Sequence, residues 1–139
     1  MTDNVNNPKH YTSHQSGVEA IEITRWLRGP YSNAFKYVFR GWDGLKDDPV
    51  QDLKKALWYL EDAENFPDDG YELHPQLEVK WYRYHDAEHN ELKRACLAHI
   101  LFASEGEVRN NPDTEQIMLA KKLIQERIAY LQSYPDVAL

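Results

Sequence analysis

Cysteine is almost absent from this sequence, which holds one, Cys96, among 139 residues. A single thiol excludes an intrachain disulfide and any zinc site built mainly from cysteines. Chains without disulfides are typical of reducing compartments, so we expect a cytoplasmic protein. The sequence also lacks an apolar run of about 18 residues and an apolar N-terminal signal core. We therefore expect neither a membrane span nor secretion.

Positive charge is scarce as well, since 16 Lys and Arg stand against 23 Asp and Glu and give a net charge of −7. Sequence-independent binding of nucleic acid needs clustered positive charge over a broad surface, and this balance argues against one. A pocket for one small phosphorylated ligand needs only a few cations, so the net negative charge does not exclude such a pocket. Motifs of the P-loop, of dinucleotide binding and of the serine nucleophile elbow are also absent from the sequence.

What the sequence does contain is typical of a globular protein, with 42% hydrophobic and 28% charged residues. Apolar residues recur at helical spacing through most of the chain, so we predict a mainly α-helical fold. A Pro- and Gly-bounded break at 67–70 divides the chain. It separates a three-helix N-terminal unit with an irregular arm, 1–66, from a helical C-terminal extension, 71–139. The two units either stand apart or pack as one domain.

In the N-terminal unit, Ser16 and Glu19 form a capping-box pattern that predicts the start of the first helix. Gly29 and Pro30 predict its end. A second helix is then expected from near Ser32. Its predicted buried stripe consists of Ala34, Phe35, Val38, Phe39 and Trp42.

The second helix should stop at Gly41, and Asp48 followed by Pro49 predicts the start of a third helix that runs to about Asn65. In the extension, apolar residues alternate with charged ones over 76–84. That pattern favours a short extended segment, although the start of a long helix is the alternative.

Two further helices are expected in the extension. The first runs from about Asp86 to Ser104, and the second is capped by Asp113. Their predicted inward faces are Leu92, Cys96, Ile100 and Ala103 in the first, and Ile117, Ala120, Ile124, Ile128 and Leu131 in the second.

A polar stripe on the second helix is the first candidate site. Asn33, Lys36, Tyr37 and Arg40 recur at i, i+3, i+4 and i+7, which places them along one side, opposite the apolar stripe. The cations suit a phosphate, and the ring suits a base.

The third helix has a similar stripe in Asp52, Lys55 and Tyr59, with Lys54 adjacent. If the two helices form a hairpin, the stripes face each other and form a phosphate site. The alternative is two solvated helix faces held by local ion pairs such as Asp52–Lys55.

The N-terminal arm contributes Lys9, His10 and Tyr11 as candidates, because a polar arm that precedes a domain can fold over a ligand. His10 would donate to phosphate or act as a general acid. The alternative is a plain surface segment.

Three other histidines stand at spacings that resemble metal ligation or a Cys–His pair. His85 and His89 stand four residues apart and would share one face of a helix, as metal ligands do, but a third ligand is missing and an exposed turn is the alternative. His99 follows Cys96 by three residues and is interpreted as a satisfied, half-buried side chain rather than a catalytic partner. No metal site is predicted.

Four sequence blocks stand in a fixed order between residues 7 and 65: HY at 10–11, GVEAI at 17–21, NAFKYVFR at 33–40 and DLKKALWYL at 52–60. This order resembles the SaV-like small proteins of bacteriophages, a domain family of unknown function. The resemblance covers a little under half of the chain and leaves 71–139 outside.

One podophage member of that family is a nucleotide kinase that acts on deoxynucleoside monophosphates without a P-loop. The resemblance therefore implies a phage protein that handles nucleotides in the cytoplasm of an infected host. It also marks His10, Asn33, Lys36, Arg40 and Lys55 as candidates for a ligand pocket.

Phosphoryl transfer to a nucleoside monophosphate is the function that the resemblance favours. Lys36 and Arg40 would neutralise the transferred group, Lys55 would hold a donor phosphate, and His10 or Asp52 would orient the acceptor. Magnesium bound with the nucleotide is the cofactor that such a reaction would use.

Two alternatives stay open: a non-catalytic protein that sequesters a nucleotide signal of host defence, and an acidic protein that docks on a host protein and inhibits it. The enzyme and the binding protein would both be expected to form homo-oligomers. Four aromatic residues would then be buried between subunits, unless they fill one core instead: Trp58, Trp81, Tyr82 and Tyr84.

Overall fold

A computed structural model describes residues 14–44, 48–65, 73–105 and 113–133. Over these ranges the chain forms α-helices and no strand, which confirms a mainly α-helical fold. The helices are α1 (Ala20–Thr24), α2 (Gly29–Gly41), α3 (Pro49–Asn65), α4 (Pro75–Ala87), α5 (Glu91–Glu105) and α6 (Asp113–Ser133). In none of these described helices is there a stretch both long and apolar enough to span a membrane.

The first helix begins later than the sequence predicts. Gly17 has a φ of +75°, which lies outside the helical region, and Ser16 bonds to the ring of His14 instead of capping a helix. Glu19 occupies the N-cap and forms the capping box with Glu22. The capping box is therefore present, but its predicted position was wrong.

Gly29 and Pro30 begin α2, so the prediction that they end the first helix was wrong. Arg28 is the N-cap, with extended backbone (φ −82°, ψ 151°). Proline suits the first turn because its missing N–H has no intrahelical acceptor there.

The boundaries between α2 and α3 agree with the sequence. Asp48 accepts a hydrogen bond from the backbone N–H of Gln51 at 2.9 Å, as expected of an N-cap, and α3 ends at Asn65. A Cβ at Gly41 would lie 2.8 Å from the Cβ of Asp52. Glycine at this position therefore lets the two helices approach closely.

The segment 76–84 lies within α4, so the extended alternative was wrong. Leu77, Trp81 and Tyr84 are buried at helical spacing, whereas Val79 is 55% exposed. The apparent alternation arises because a helical face at i, i+4 and i+7 shares some odd positions with a strand.

The helix predicted from Asp86 to Ser104 is interrupted at its start. Glu88 is extended (φ −81°, ψ 118°) and ends α4. The side chain of Asn90 then accepts the N–H of Lys93 at 3.0 Å and caps α5. Leu92, predicted to face inward, is 57% exposed because it lies in the first turn after this break.

One continuous core joins all six described helices, including both halves of the chain. Helix α2 packs on α1, α3 and α5, and α6 packs on α3 and α5. Trp81 and Tyr84 belong to this core, whereas Trp58 and Tyr82 are 61% and 62% exposed. The predicted stripes of α2 and α6 are buried throughout.

Candidate functional site

Helices α2 and α3 pack against each other and bring the two predicted polar stripes together. The rings of Tyr37 and Tyr59 stack across the pair, with centroids 6.0 Å apart and planes within 10°. We call the resulting surface the basic aromatic face. It consists of Lys36 and Tyr37 on α2 and of Lys54, Lys55, Trp58 and Tyr59 on α3.

Three cations surround the ring of Tyr37. The Nζ of Lys36 lies 4.7 Å from its centroid, the guanidinium carbon of Arg40 also 4.7 Å, and the Nζ of Lys55 5.4 Å. Cation–π attraction holds these groups near one another despite their like charge. Positive potential is therefore concentrated at one point of an acidic protein.

Arg40 differs from the two lysines because its charge is compensated inside the protein. It is 6% exposed and donates from Nε to Oδ2 of Asp52 at 3.2 Å and from Nη2 to Oδ1 at 3.4 Å. Asp52 is 4% exposed and therefore pairs across the helices with Arg40, rather than with Lys55 on its own helix. The pair joins α2 to α3 beneath Tyr37.

The lysines are the donors that an anion in solution can reach. Lys54 and Lys55 are exposed and Lys36 is half-buried, and within the described ranges none of the three pairs with a carboxylate. The side-chain amide of Asn33 donates to the carbonyl of Gly29 at 3.2 Å, which ties it to its own helix. Of the predicted stripe residues, the lysines are thus the most available for a phosphate.

The candidates of the N-terminal arm, Lys9, His10 and Tyr11, lie outside the described residues. Their predicted roles stay predictions.

A second cluster of ionisable groups is mostly buried, except for the exposed Asp43, and the sequence analysis did not find it. We call it the Glu88 network, formed by His14, Asp43, Tyr84, Glu88 and Lys93. The Oε1 atom of Glu88 accepts from the hydroxyl of Tyr84 at 2.5 Å and lies 3.3 Å from Nε2 of His14 and 3.6 Å from Nζ of Lys93. Lys93, 1% exposed, also pairs with Asp43 at 2.5 Å.

Hydrogen bonds define the tautomer of His14. The backbone N–H of Ser16 donates to Nδ1 at 3.0 Å, so that nitrogen is an acceptor and Nε2 carries the proton toward Glu88. A second proton on Nδ1 would displace the Ser16 N–H. Burial, with a smaller contribution from nearby Lys93, lowers the pKa of His14 below its ordinary value of 6.5 although Glu88 acts in the opposite direction.

The pKa values of Glu88 and Tyr84 shift so that Glu88 stays ionised and Tyr84 stays neutral. Burial alone would raise the pKa of Glu88, but hydrogen bonds from Tyr84 and from the N–H of Asn90, together with Lys93, lower it below 4.5. Burial and the neighbouring Glu88 raise the pKa of Tyr84 above its usual 10. The network therefore holds an ionised carboxylate, a neutral imidazole and a neutral phenol.

The structure separates the two histidines whose spacing resembles that of metal ligands. His89 lies in the extended break after α4, so it does not share a helical face with His85, and that prediction was wrong. Among the described residues no group of three or more His, Cys, Asp and Glu side chains is placed to hold a metal ion.

Cys96 and His99 have structural partners. The Nδ1 of His99 lies 2.8 Å from Oε1 of Gln116 on α6, as the interpretation of a satisfied, half-buried histidine requires. Cys96 is fully buried, and burial raises the pKa of its thiol. A buried thiol of raised pKa is a poor nucleophile.

The comparisons with known proteins concern the N-terminal part of the chain. No curated protein and no solved structure matches it. The family model of a protein of unknown function, DUF3310, matches residues 5–61, less than half of the 139 residues. That segment contains the whole basic aromatic face, whereas Tyr84, Glu88 and Lys93 of the Glu88 network lie outside it. Residues 5–61 thus correspond to a domain family of unknown function.

Proposed function

We propose that the protein binds a small phosphorylated ligand of the nucleotide class on the basic aromatic face. The observation that carries this proposal is the convergence of Lys36, Arg40 and Lys55 on the ring of Tyr37 in a chain of net charge −7. In an acidic protein a local concentration of cations attracts an anion to that place and not to the rest of the surface.

The geometry assigns different tasks to the cations. Lys36 and Lys55 extend from facing helices to the same ring, so one phosphate between them can accept a charge-assisted hydrogen bond from each. Arg40 is engaged by Asp52 and adds a fixed positive charge from beneath. Rigid pairing of Arg40 keeps the ring and its neighbours in place before the ligand arrives, which reduces the entropy lost on binding.

Phosphoryl transfer to a nucleoside monophosphate is the reaction that we propose for this site, because the four sequence blocks resemble a family that has a nucleotide kinase among its members. Lys36 and Lys55 would then neutralise the charge of the transferred group. Magnesium bound to the nucleotide's own phosphates would supply further neutralisation. To orient the acceptor nucleotide, Asp52 would have to release Arg40 and contact the acceptor instead.

Non-catalytic sequestration of a nucleotide is the second candidate, and one observation favours it. Asp52 is the carboxylate that the predicted stripes contribute. It is 4% exposed and paired with Arg40. A site whose carboxylate is already neutralised can bind an anion tightly without transferring a proton.

Calorimetry with each of the four deoxynucleoside monophosphates tests binding. We expect Lys36→Ala and Lys55→Ala each to weaken the affinity about tenfold, because a hydrogen bond to a charged group contributes roughly 1.5 kcal/mol. Lys122→Ala, on the exposed side of α6, is the matched control and should leave affinity unchanged.

Chromatography after incubation with a nucleoside triphosphate distinguishes the two candidates. A diphosphate product supports phosphoryl transfer, and recovery of intact ligand after denaturation supports sequestration. If no monophosphate, triphosphate or cyclic dinucleotide binds the wild type, the proposal is wrong.

A further inference from the structure

We infer that Trp58 is the surface on which the aromatic part of the ligand stacks, so that the site takes a nucleoside phosphate rather than a sugar phosphate or inorganic phosphate. This inference rests on the proposed function, since it assumes that the lysines beside Trp58 bind phosphate. Trp58, which would contact the base, is not one of the residues in the two candidate stripes.

Trp58 is unusual among the four tryptophans of the chain because its side chain faces solvent. It is 61% exposed, whereas Trp42 and Trp81 are 1% and 6% exposed. Trp26 stacks on the ring of His74, with centroids 3.7 Å apart. Because the indole is exposed and lies beside the cations of the basic aromatic face, its face is available for stacking with a base.

The two tyrosines of the basic aromatic face are less able to accept a base. Their rings already stack on each other, and three cations lie around Tyr37. The indole of Trp58 instead meets Tyr59 at 87°, with centroids 5.1 Å apart. This perpendicular packing holds the indole in one orientation while most of it stays open to solvent.

Charges along α3 give the bound nucleotide a direction. Lys54 and Lys55 precede Trp58 by four and three positions and therefore lie on the same side of the helix, toward its N-terminus. Glu61 follows by three positions and shares Lys121 with Glu64, so the charge on that side of Trp58 is net negative. A base on Trp58 would thus place its phosphate toward the lysines and away from the carboxylate.

Comparison of two probes separates stacking from phosphate binding. We expect Trp58→Ala to weaken binding of a deoxynucleoside monophosphate about tenfold or more, since stacking of one base on an aromatic side chain contributes on that order. Binding of deoxyribose 5-phosphate, which has no base, should not change. Trp58→Phe should retain most of the nucleotide affinity.

Fluorescence provides a second readout. A bound base should quench the emission of Trp58, and Trp58→Phe should abolish the quenching because the other tryptophans are buried or stacked. Tyr82→Ala, which removes an equally exposed ring on α4, is the matched control and should preserve affinity and quenching. Circular dichroism confirms that each variant is folded.

The outcomes distinguish this inference from the proposed function. Failure of both probes, and of the triphosphates and cyclic dinucleotides, to bind the wild type would overturn the proposed function. If deoxyribose 5-phosphate binds but Trp58→Ala leaves nucleotide affinity unchanged, or weakens both probes equally, the stacking role is wrong. A wild-type dimer that Trp58→Ala converts to a monomer, with nucleotide affinity retained, would identify the indole as a subunit contact and likewise overturn the inference.

Discussion

The Glu88 network and the basic aromatic face use similar side chains with opposite results. In the Glu88 network the carboxylate of Glu88, 7% exposed, is contacted by Tyr84 of α4 and by His14 from the start of the described chain. On the basic aromatic face, lysines gather around an aromatic ring, and those of α3 are exposed. Buried charge must be balanced within the protein, whereas exposed surplus charge can be balanced by a ligand. The first arrangement stabilises the fold, and the second is available for binding.

The Arg40–Asp52 pair lies between these two extremes. It is as buried as the Glu88 network, yet its guanidinium lies 4.7 Å from the ring of Tyr37. A residue can therefore stabilise the helix pair and still contribute its field to a surface site.

Removal of the carboxylate at the centre of the Glu88 network should have the largest effect. We expect Glu88→Ala to lower the free energy of unfolding by about 3 kcal/mol, because it leaves the buried hydroxyl of Tyr84 without its acceptor and removes one of the two carboxylates that pair with Lys93. Urea denaturation measures this change. Glu126→Ala, at an exposed position of α6, should stay within about 0.5 kcal/mol of wild type.

Glu88→Gln refines that comparison because the amide oxygen can still accept from Tyr84. We expect a smaller loss than for alanine. If Glu88→Ala costs less than about 1 kcal/mol, the Glu88 network contributes no more than a surface ion pair, and its contrast with the basic aromatic face disappears.

A methyl group between α2 and α3 tests how the basic aromatic face is supported. We expect Gly41→Ala to cost about 1–3 kcal/mol, since the new Cβ would lie 2.8 Å from the Cβ of Asp52, and one helix must move. Gly29→Ala is the matched control, because a Cβ there meets nothing within 4 Å. Thermal unfolding compares the two, and equal melting temperatures would contradict the close approach.

The pH dependence of stability should reveal His14 and gives the smallest effect. Because its folded pKa is lowered, the neutral form contributes stability that is complete above pH 6.5 and is lost as the pH falls toward the folded pKa. One proton gives a slope of at most about 1.4 kcal/mol per pH unit. Glu88 titrates below 4.5 and does not interfere in this window.

Denaturation at pH 7.5 and pH 5.5 measures that slope. We expect His14→Gln to flatten it, whereas His89→Gln, at an exposed position, should leave it as in the wild type. A full slope in His14→Gln would assign the pH dependence to another group.

Local patterns predicted the part of the fold on which the basic aromatic face lies. The apolar stripe of α2, the Asp48 cap and the end of α3 at Asn65 are all visible in the sequence, because each depends on neighbours within one helix. The same is true of the facing stripes. Whether they bind a nucleotide stays a prediction.

The misplaced elements depended on information that is not local. Pro30 is compatible with either the end of one helix or the start of the next, and the backbone of Gly17 decides where α1 begins. The Glu88 network was missed because His14 and Asp43 are far in sequence from Tyr84, Glu88 and Lys93, and no spacing links them. The local pattern around Glu88, a carboxylate between two histidines, was interpreted as an exposed turn, with an incomplete metal site as the alternative.

The shared core has a consequence for any shorter protein built on the same N-terminal module. Phe35 and Phe39 of α2 contact Trp81 and Tyr84, with ring centroids 6.2 Å and 5.2 Å apart, and both partners lie beyond residues 5–61. A chain that stopped after α3 would present those phenylalanines to water and would need a second molecule to cover them. Here the cover is covalently attached, at the high effective concentration that a tether provides. Helix α4 therefore supplies within the same chain the cover that a chain ending after α3 would have to obtain from a second molecule.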